Sequence, residues 1–454
     1  MEDRSRNLSL PTILDARPEP CAEDDTKPGN YFVSNYPPYS FWNAEDVRNA
    51  HAAFDRPPAA GTPLGLYVHI PFCRKRCHFC YFKVYTDKNA TDVQSYLDSV
   101  ARELELYARK PFLAGRKPTF IYFGGGTPSY ISSDQLSRLV ARMQALLPWE
   151  EAQEVAFECE PGTLTEGKLR VIKETGVTRL SLGIENFDDE ILQANGRAHG
   201  AKQIDKAYDL ARSLGFAQIN IDLIAGMVGE TEENWRECVA KTIAMSPESV
   251  TIYQMEVPYN TTIFKEMRIR GREVAPVASW RTKRDWVNYA FNELEHAGYT
   301  IGSAYTAVKD AARTKFLYRD LLWRGADMLG LGVASFSHAQ GTHFQNEHEI
   351  DTYRRRVDAG ELPILRALTP SSDDRLIREL VLQLKLGRVR SGYFLDKFGV
   401  DIGERFSQPI EKLRGDGFLT AEPDGLRLNR EGLLQVDRLL PEFFRPEHRV
   451  SRRV

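Results

Sequence analysis

The chain has 454 residues, more than one domain usually holds, and its 42% hydrophobic and 27% charged residues are an ordinary globular composition with ample material for a core. A formal net charge of −3 gives no reason to expect nucleic acid as the main partner. No apolar run reaches the length of a membrane span, and the polar N-terminus does not read as a secretory signal. Outside one cluster, the cysteines Cys21, Cys159 and Cys238 are scattered without a pairing pattern, which fits reduced thiols in a cytoplasmic protein.

Residues 1–60 are rich in Pro, Asp, Glu and Arg and predict a poorly ordered arm. Within it, residues 30–42 set several aromatics around Pro37 and Pro38. They read either as a strap packed on the surface or as a cover that keeps water from an active site.

From Gly65 to Tyr305, strand-like runs alternate with amphipathic helices. The strand candidates are 66–70, 119–123, 154–158, 179–184, 218–224 and 250–254. A helix over 93–107 puts Tyr96, Leu97, Val100, Leu104 and Tyr107 on one face. Six such units predict a parallel sheet with right-handed crossovers, and function is then expected at the C-terminal ends of the strands.

The loop after the first strand carries Cys73, Cys77 and Cys80, spaced C-x3-C-x2-C, with no fourth cysteine nearby. Thiolates hold iron in iron–sulfur clusters, and a four-iron cube ordinarily takes four ligands. Three leave one iron open, the mark of a catalytic metal site. That chemistry suits binding S-adenosylmethionine (SAM) and cleaving it reductively to a 5′-deoxyadenosyl radical. Unrelated buried thiols, or a zinc site completed by His78, are the plainer alternatives, although zinc sites usually come as paired C-x2-C units.

The second strand leads into Gly124, Gly125, Gly126 and Thr127. Consecutive glycines let amides approach a ligand, but such a turn alone reads equally as a phosphate loop or a tight bend. At the end of the third strand, alternation sends Glu158 and Glu160 to the same side. Buried acids there are costly unless they bind something polar, and Cys159 between them reads as core. Glu185 closes the fourth strand, and Arg197, twelve residues on, reads by itself as a surface ion pair. Asp222 shares a face of the fifth strand with Asn220, and Thr231 is the expected N-cap of the next helix. Met255 ends the series and, taken alone, is simply core.

After a helix near 280–297 comes a glycine-rich stretch, 318–337. Helices follow at 374–386, 393–398, 410–416 and 430–440, with a hairpin before the last that resembles a wing. Helices plus a wing can mean DNA binding, but the segment's acids offset its bases, so nucleic-acid contact is not expected. The basic residues 445–454 read as a solvated tail.

These motifs, above all Tyr67 to Phe82, resemble the radical SAM superfamily. The branch is that of the oxygen-independent coproporphyrinogen III oxidase-like (HemN/HemW) proteins, which also holds haem chaperones, haem-degrading enzymes and radical methyltransferases. The resemblance covers most of the chain. It implies a partial (β/α)6 TIM-type barrel at 61–305, a glycine-rich extension beside the substrate at 306–367, and a smaller helical, winged-helix-like domain with its tail at 368–454. It further implies that Cys73, Cys77 and Cys80 hold a [4Fe–4S] cluster. SAM contacts are implied for Tyr67, Phe79, Gly124, Gly125, Gly126, Thr127, Glu158, Glu185, Arg197, Asp222 and Met255, with Glu185 standing where relatives usually have Gln. An electron donor such as flavodoxin or ferredoxin and a small organic substrate complete the expectation. Two departures bear on the reaction. Phe82 replaces a further cysteine of true coproporphyrinogen oxidases, and Tyr318 and Arg319 replace a haem-binding His-Asn pair of the chaperones. They favour methyl or other carbon transfer from a second SAM, ahead of coproporphyrinogen decarboxylation or haem carriage.

Overall fold

A computed structural model of the chain describes residues 32–270 and 277–449. The alternating pattern becomes six consecutive parallel strands: β1 (Leu64–Ile70), β2 (Phe120–Gly125), β3 (Glu154–Cys159), β4 (Arg179–Glu185), β5 (Gln218–Ala225) and β6 (Ser249–Gln254). Helices Ala90–Ala108, Ser133–Leu146, Glu166–Glu174, Ala201–Ser213 and Glu232–Met245 lie between them in sequence. The first starts earlier than its apolar period suggests because Asn89 accepts from the amides of Thr91 and Asp92, satisfying N–H groups that a helix start leaves orphaned. Thr231 caps its helix as expected, accepting from the amide of Asn234. Leu66, Val68 and Ile70 of β1 are fully buried in one core with Tyr96, Val100 and Leu104 of the first helix.

The sheet continues past both edges. The short β7 (Thr300–Ile301) and β8 (Thr306–Val308) extend it beyond β6. On the other side the glycine-rich stretch supplies β9 (Asp327–Leu331), which runs parallel to β1. Then come the antiparallel β10 (Phe336–Ala339), β11 (Thr342–Asn346) and β12 (Ile364–Leu368). The result is one twelve-stranded sheet with the six-strand barrel wall in its middle. A second hydrophobic cluster belongs to the C-terminal helices Ser372–Leu384, Ser391–Phe398 and Ser407–Gly415 and to a three-stranded sheet, β13 (Arg388–Arg390), β14 (Leu419–Glu422) and β15 (Gly425–Leu428).

Three expectations are corrected. The described part of the arm is built into the fold: Asn43 bridges to Ala367 of β12, helix Val47–Phe54 buries Ala50, Ala53 and Phe54, and Tyr36 is fully buried among the C-terminal residues. Apolar aromatic area at this density is enough to order a segment whose composition is otherwise polar. The last helix is broken into Arg430–Leu434, Val436–Leu439 and a 3-10 turn, Leu440–Phe443. Gln435 leaves helical geometry, and the Leu434 carbonyl accepts instead from Gln254 at the end of β6. Residues 445–449 are docked rather than solvated, with His448 Nδ1 2.8 Å from the Tyr36 hydroxyl and its ring against Phe41.

A buried carboxylate ties the extension to the barrel. Glu103 is fully buried and accepts from the Gly332 amide (2.8 Å), Asn346 Nδ2 (2.6 Å) and the Tyr353 hydroxyl (2.6 Å). Burial pushes its carboxyl up to about 7 against these hydrogen bonds, so this group destabilises the fold as pH rises towards that value. Glu103→Ala leaves the buried Gly332 amide and Tyr353 hydroxyl without their acceptor and is expected to cost about 3 kcal/mol, read as a lower urea midpoint. Glu103→Gln, which keeps an acceptor, should lose less.

Candidate functional site

The cysteine loop is fastened to three separate elements by its backbone. Cys73 donates to the Tyr85 carbonyl (3.1 Å), His78 donates to Asn195 (3.0 Å), and the His78 carbonyl accepts from Ile263 (3.2 Å). Cys73 is buried, and Cys77 and Cys80 are half-buried. Thr127 Oγ1 donates to Cys73 Sγ at 3.3 Å, and Arg197 Nη1 donates to Cys77 Sγ at 3.2 Å. His78 turns Nδ1 to the Ala194 carbonyl, 3.0 Å away.

Whether this loop fits an iron–sulfur cluster is decided by packing and charge. A Cβ on Gly126 would lie 2.9 Å from the Pro71 carbonyl carbon and 3.0 Å from Cys73 Sγ, so only glycine lets the second strand approach the loop this closely. Burial pushes the Cys73 thiol up to about 12. It therefore ionises only against a compensating cation, and a bound metal supplies one. Among the described residues, no three His, Cys, Asp or Glu side chains gather around a single ion position. Cys73, Cys77 and Cys80 interact electrostatically with one another, and thiolates gathered in this way are the ligands of iron–sulfur clusters.

Behind the loop, the barrel mouth is acidic. Glu158 accepts from the Tyr122 hydroxyl (2.5 Å) and the Gly125 amide (3.2 Å). Glu185 has φ +69°, at the point where the β4–β5 register shifts. Such a backbone is unfavourable for a residue with a Cβ, and it brings the carboxylate 3.5 Å from Arg197. Burial raises both carboxyls to about 7, Tyr122 opposing it at Glu158 and Arg197 at Glu185. Asp222 is also raised by burial, although Ser181 and Asn220 donate to it at 2.9 and 2.8 Å. Tyr67 stacks on Tyr122 with centroids 5.9 Å apart. Phe79 packs beside Met255 in a small cluster with Ile191, Ile224 and Ile263. The candidates named from sequence are therefore gathered at one end of the parallel strands.

Glu160, one residue beyond β3 and still extended, caps the turn Pro161–Thr163 and binds Arg74 (3.0 Å) and His199 (2.8 Å). Because Arg74 follows Cys73, this triad clamps the cysteine loop from outside. Cys159 is buried as core. Two residues were missed: His69, buried with its Nδ1 3.2 Å from the Tyr67 hydroxyl, and Tyr122. Both are legible as alternate positions on the strands that carry Tyr67 and Gly124. Burial holds His69 down at about 4, so it is neutral at physiological pH. Two outer clefts, of about 510 and 380 Å3, are lined by residues such as His51 and Arg356, or Trp235 and Trp286, and contain none of these side chains.

Comparison with known proteins agrees with this geometry. Residues 67–241 match the model of the radical SAM superfamily, and residues 371–434 match the HemN C-terminal domain. The barrel region is therefore similar to the radical SAM superfamily, whose cofactors are a [4Fe–4S] cluster and SAM. The oxygen-independent coproporphyrinogen III oxidase of Synechocystis sp. is 28% identical over 434 residues, covering 90% of this chain and 91% of its own. The heme chaperone HemW of Bacillus subtilis is 26% identical over 379 residues, covering 83% and 98%. The coproporphyrinogen III oxidase structure from Escherichia coli superposes with a TM-score of 0.78 at 23% identity, covering 91% and 96%, which establishes the shared fold. The relatives named here are thus coproporphyrinogen III oxidases and a heme chaperone, each under 30% identical to this chain. None of the described helices is long and apolar enough to cross a membrane.

The Gly126 contact gives a direct check. Gly126→Ala should fold but lose most of its iron on anaerobic reconstitution, measured as iron bound per chain, whereas alanine at Gly167, whose Cβ would meet nothing within 4 Å, should load normally.

Proposed function

We propose that this protein is a radical SAM enzyme that abstracts hydrogen from an organic substrate lying over the barrel mouth. The observation that carries this reading is the convergence of Cys73, Cys77 and Cys80 with Thr127 and Arg197 on one side and Glu158, Glu185 and Asp222 on the other. When bound, a [4Fe–4S] cluster held by the three cysteines supplies the electron that cleaves SAM to a 5′-deoxyadenosyl radical. The chain's own groups do the positioning. Arg197 and Thr127 donate to sulfur and lower the cost of negative charge there. Gly124, Gly125, Gly126 and Thr127 offer close backbone approach to the amino-acid end of SAM. Glu158, Glu185 and Asp222 are acceptors for its ammonium or ribose hydroxyls, and Tyr67, Phe79 and Met255 are apolar walls. A one-electron donor such as flavodoxin or ferredoxin is part of the same reading.

The relatives carry oxidase and chaperone names, which supports an oxidative hydrogen abstraction of the coproporphyrinogen oxidase kind and gives methyl transfer no support. Haem carriage finds none at Tyr318, whose ring lies 4.4 Å from Tyr122, or at Arg319, which pairs with Asp320 at 2.7 Å.

The test is anaerobic turnover of the reconstituted protein with dithionite and SAM. Wild type should form 5′-deoxyadenosine, and alanine at Cys73, Cys77 or Cys80 should abolish it; an iron-loaded variant that cleaves SAM at the wild-type rate sinks the assignment. A second expectation concerns pH. Glu158 and Glu185, raised to about 7, attract a cationic ligand only when ionised. SAM affinity measured by calorimetry should therefore climb as pH rises through about 7 and then level. Glu158→Gln should flatten that climb.

A further inference from the structure

The sheet face that carries Tyr67 continues beyond the SAM site. Leu66, Val68, Leu329, Leu331, Phe344 and Ala367 bury the other face in the main core. Alternation then turns Tyr67, Gly330, Gln345 and Arg366 towards the barrel mouth. The register agrees, pairing Tyr67 with Gly330 and Gln345 with both Phe336 and Arg366. The Phe336 backbone takes the place of a side chain on Gly330, where a Cβ would lie 2.3 Å from its carbonyl oxygen. The Tyr39 ring of the strap stacks on Phe336 at 4.3 Å. Phe336, Tyr39 and Arg366 are half-buried, so this end of the row stays within reach of a ligand.

Arg366 is a cation without a counter-ion. Its Nε donates to Gln345 Oε1 (2.7 Å) and its Nη1 to the Tyr39 carbonyl (3.1 Å), and both acceptors are neutral. Among the described residues no carboxylate pairs with it, and Nη2 has no hydrogen-bond partner. Burial lowers its pKa, opposed by the Tyr39 phenol. Arg378 adds a second charge from the helix Ser372–Leu384. It is buried and donates to Asn35 (2.7 Å) and the Leu322 carbonyl (3.1 Å). Glu379 acts on it, but that carboxylate pairs with Lys397 at 2.7 Å. Other cations near the mouth are taken up, Lys83 by Glu349, Lys385 by Asp437 and Lys283 by the Met255 carbonyl. The Tyr39 phenol acts on Arg366 and Arg378 and also on Tyr81, which follows Cys80. The two guanidiniums therefore stand at the edge of the space over the cluster loop.

We propose that Arg366 receives a carboxylate of the substrate and, with the charge of Arg378 behind it, sets the requirement for an anionic group there. This rests on the hydrogen-abstraction reading above and assigns that reading a specificity residue. A guanidinium edge with unused N–H groups matches the two oxygens of a carboxylate. Arg366 lies on β12, whereas Glu158, Glu185 and Asp222 lie on β3, β4 and β5, on the other side of β1 in the sheet. The cationic groups of SAM and the anionic group of the substrate are thus drawn to opposite sides of the mouth. Charge then orients the substrate before any reaction.

Carboxylates can be masked without changing the ring that carries them. Coproporphyrin III and its tetramethyl ester are dialysed to equilibrium against the reconstituted full-length protein, with the same low fraction of cosolvent. The readout is the ratio of acid to ester affinity, which Arg366→Gln should lower about tenfold by weakening the acid alone. Arg366→Lys, which keeps the charge but not the planar edge, should recover part of the ratio. Alanine at Arg170, whose exposed pair with Glu166 lies elsewhere, should leave it unchanged. A ratio indifferent to Arg366→Gln, or binding of neither compound by the wild type, overturns the proposal. So does an equal loss of acid and ester in Arg366→Gln, which would make Arg366 an anchor of the strap. Formation of 5′-deoxyadenosine from SAM and dithionite is scored separately. Its absence refutes the radical reading, while the carboxylate site stands or falls on the ratio.

Discussion

Holding negative charge in a half-buried loop is the constraint on which the rest of the site depends. Three cysteines within eight residues can serve as ligands only if their sulfurs are ionised, and burial opposes ionisation most strongly at Cys73. The protein answers with donors rather than exposure: a hydroxyl on Cys73 and a guanidinium on Cys77. Both donors come from other βα units, so the cysteine loop is correct only when β2 and the loop beyond β4 are in place. Gly126 and the backbone bonds of His78 then fix its height above the sheet. Parallel strands with right-handed crossovers put all of these segments at one end, which is why a local motif needs the whole barrel.

The same low-dielectric end raises the carboxyls of Glu158, Glu185 and Asp222. Three acids this close work against folding unless a cation joins them. Arg197 neutralises part of the charge but is shared with Cys77. The strained backbone at Glu185 is a local cost of the same kind, retained where a carboxylate must meet a guanidinium. In the function proposed above, SAM brings a sulfonium and an ammonium, the charge that this acidic set calls for.

Much of this was legible in the sequence because it is periodic or local. Alternation located all six barrel strands to within two residues at each end, and caps such as Thr231 located helix starts. The motif residues followed, since strand ends are where a parallel sheet gathers side chains. What was hidden is non-local. Nothing in the run Asp327–Leu331 says that it pairs with β1 more than 250 residues earlier, and an aromatic strap does not declare its dock until Tyr36 meets Phe444 and His448. Nor does alternation say that Glu160, just past the end of β3, is taken up by Arg74 and His199.

The strap and the C-terminal domain meet the barrel through one charged knot. Lys385 is reached by the Val33 carbonyl and Asp437, Asp437 also accepts from the Tyr305 hydroxyl and the Val33 amide, and Glu256 of the β6 segment accepts from Phe32. A fully buried lysine is tolerated only when paired in this way, and each partner comes from a different part of the chain. The knot therefore fixes where Phe32 and Tyr253 stand relative to Tyr81 and the cysteine loop. The segment that closes the knot also places the exposed Phe32 ring over Lys385, so the strap is held to the β6 segment and to the C-terminal domain at one point.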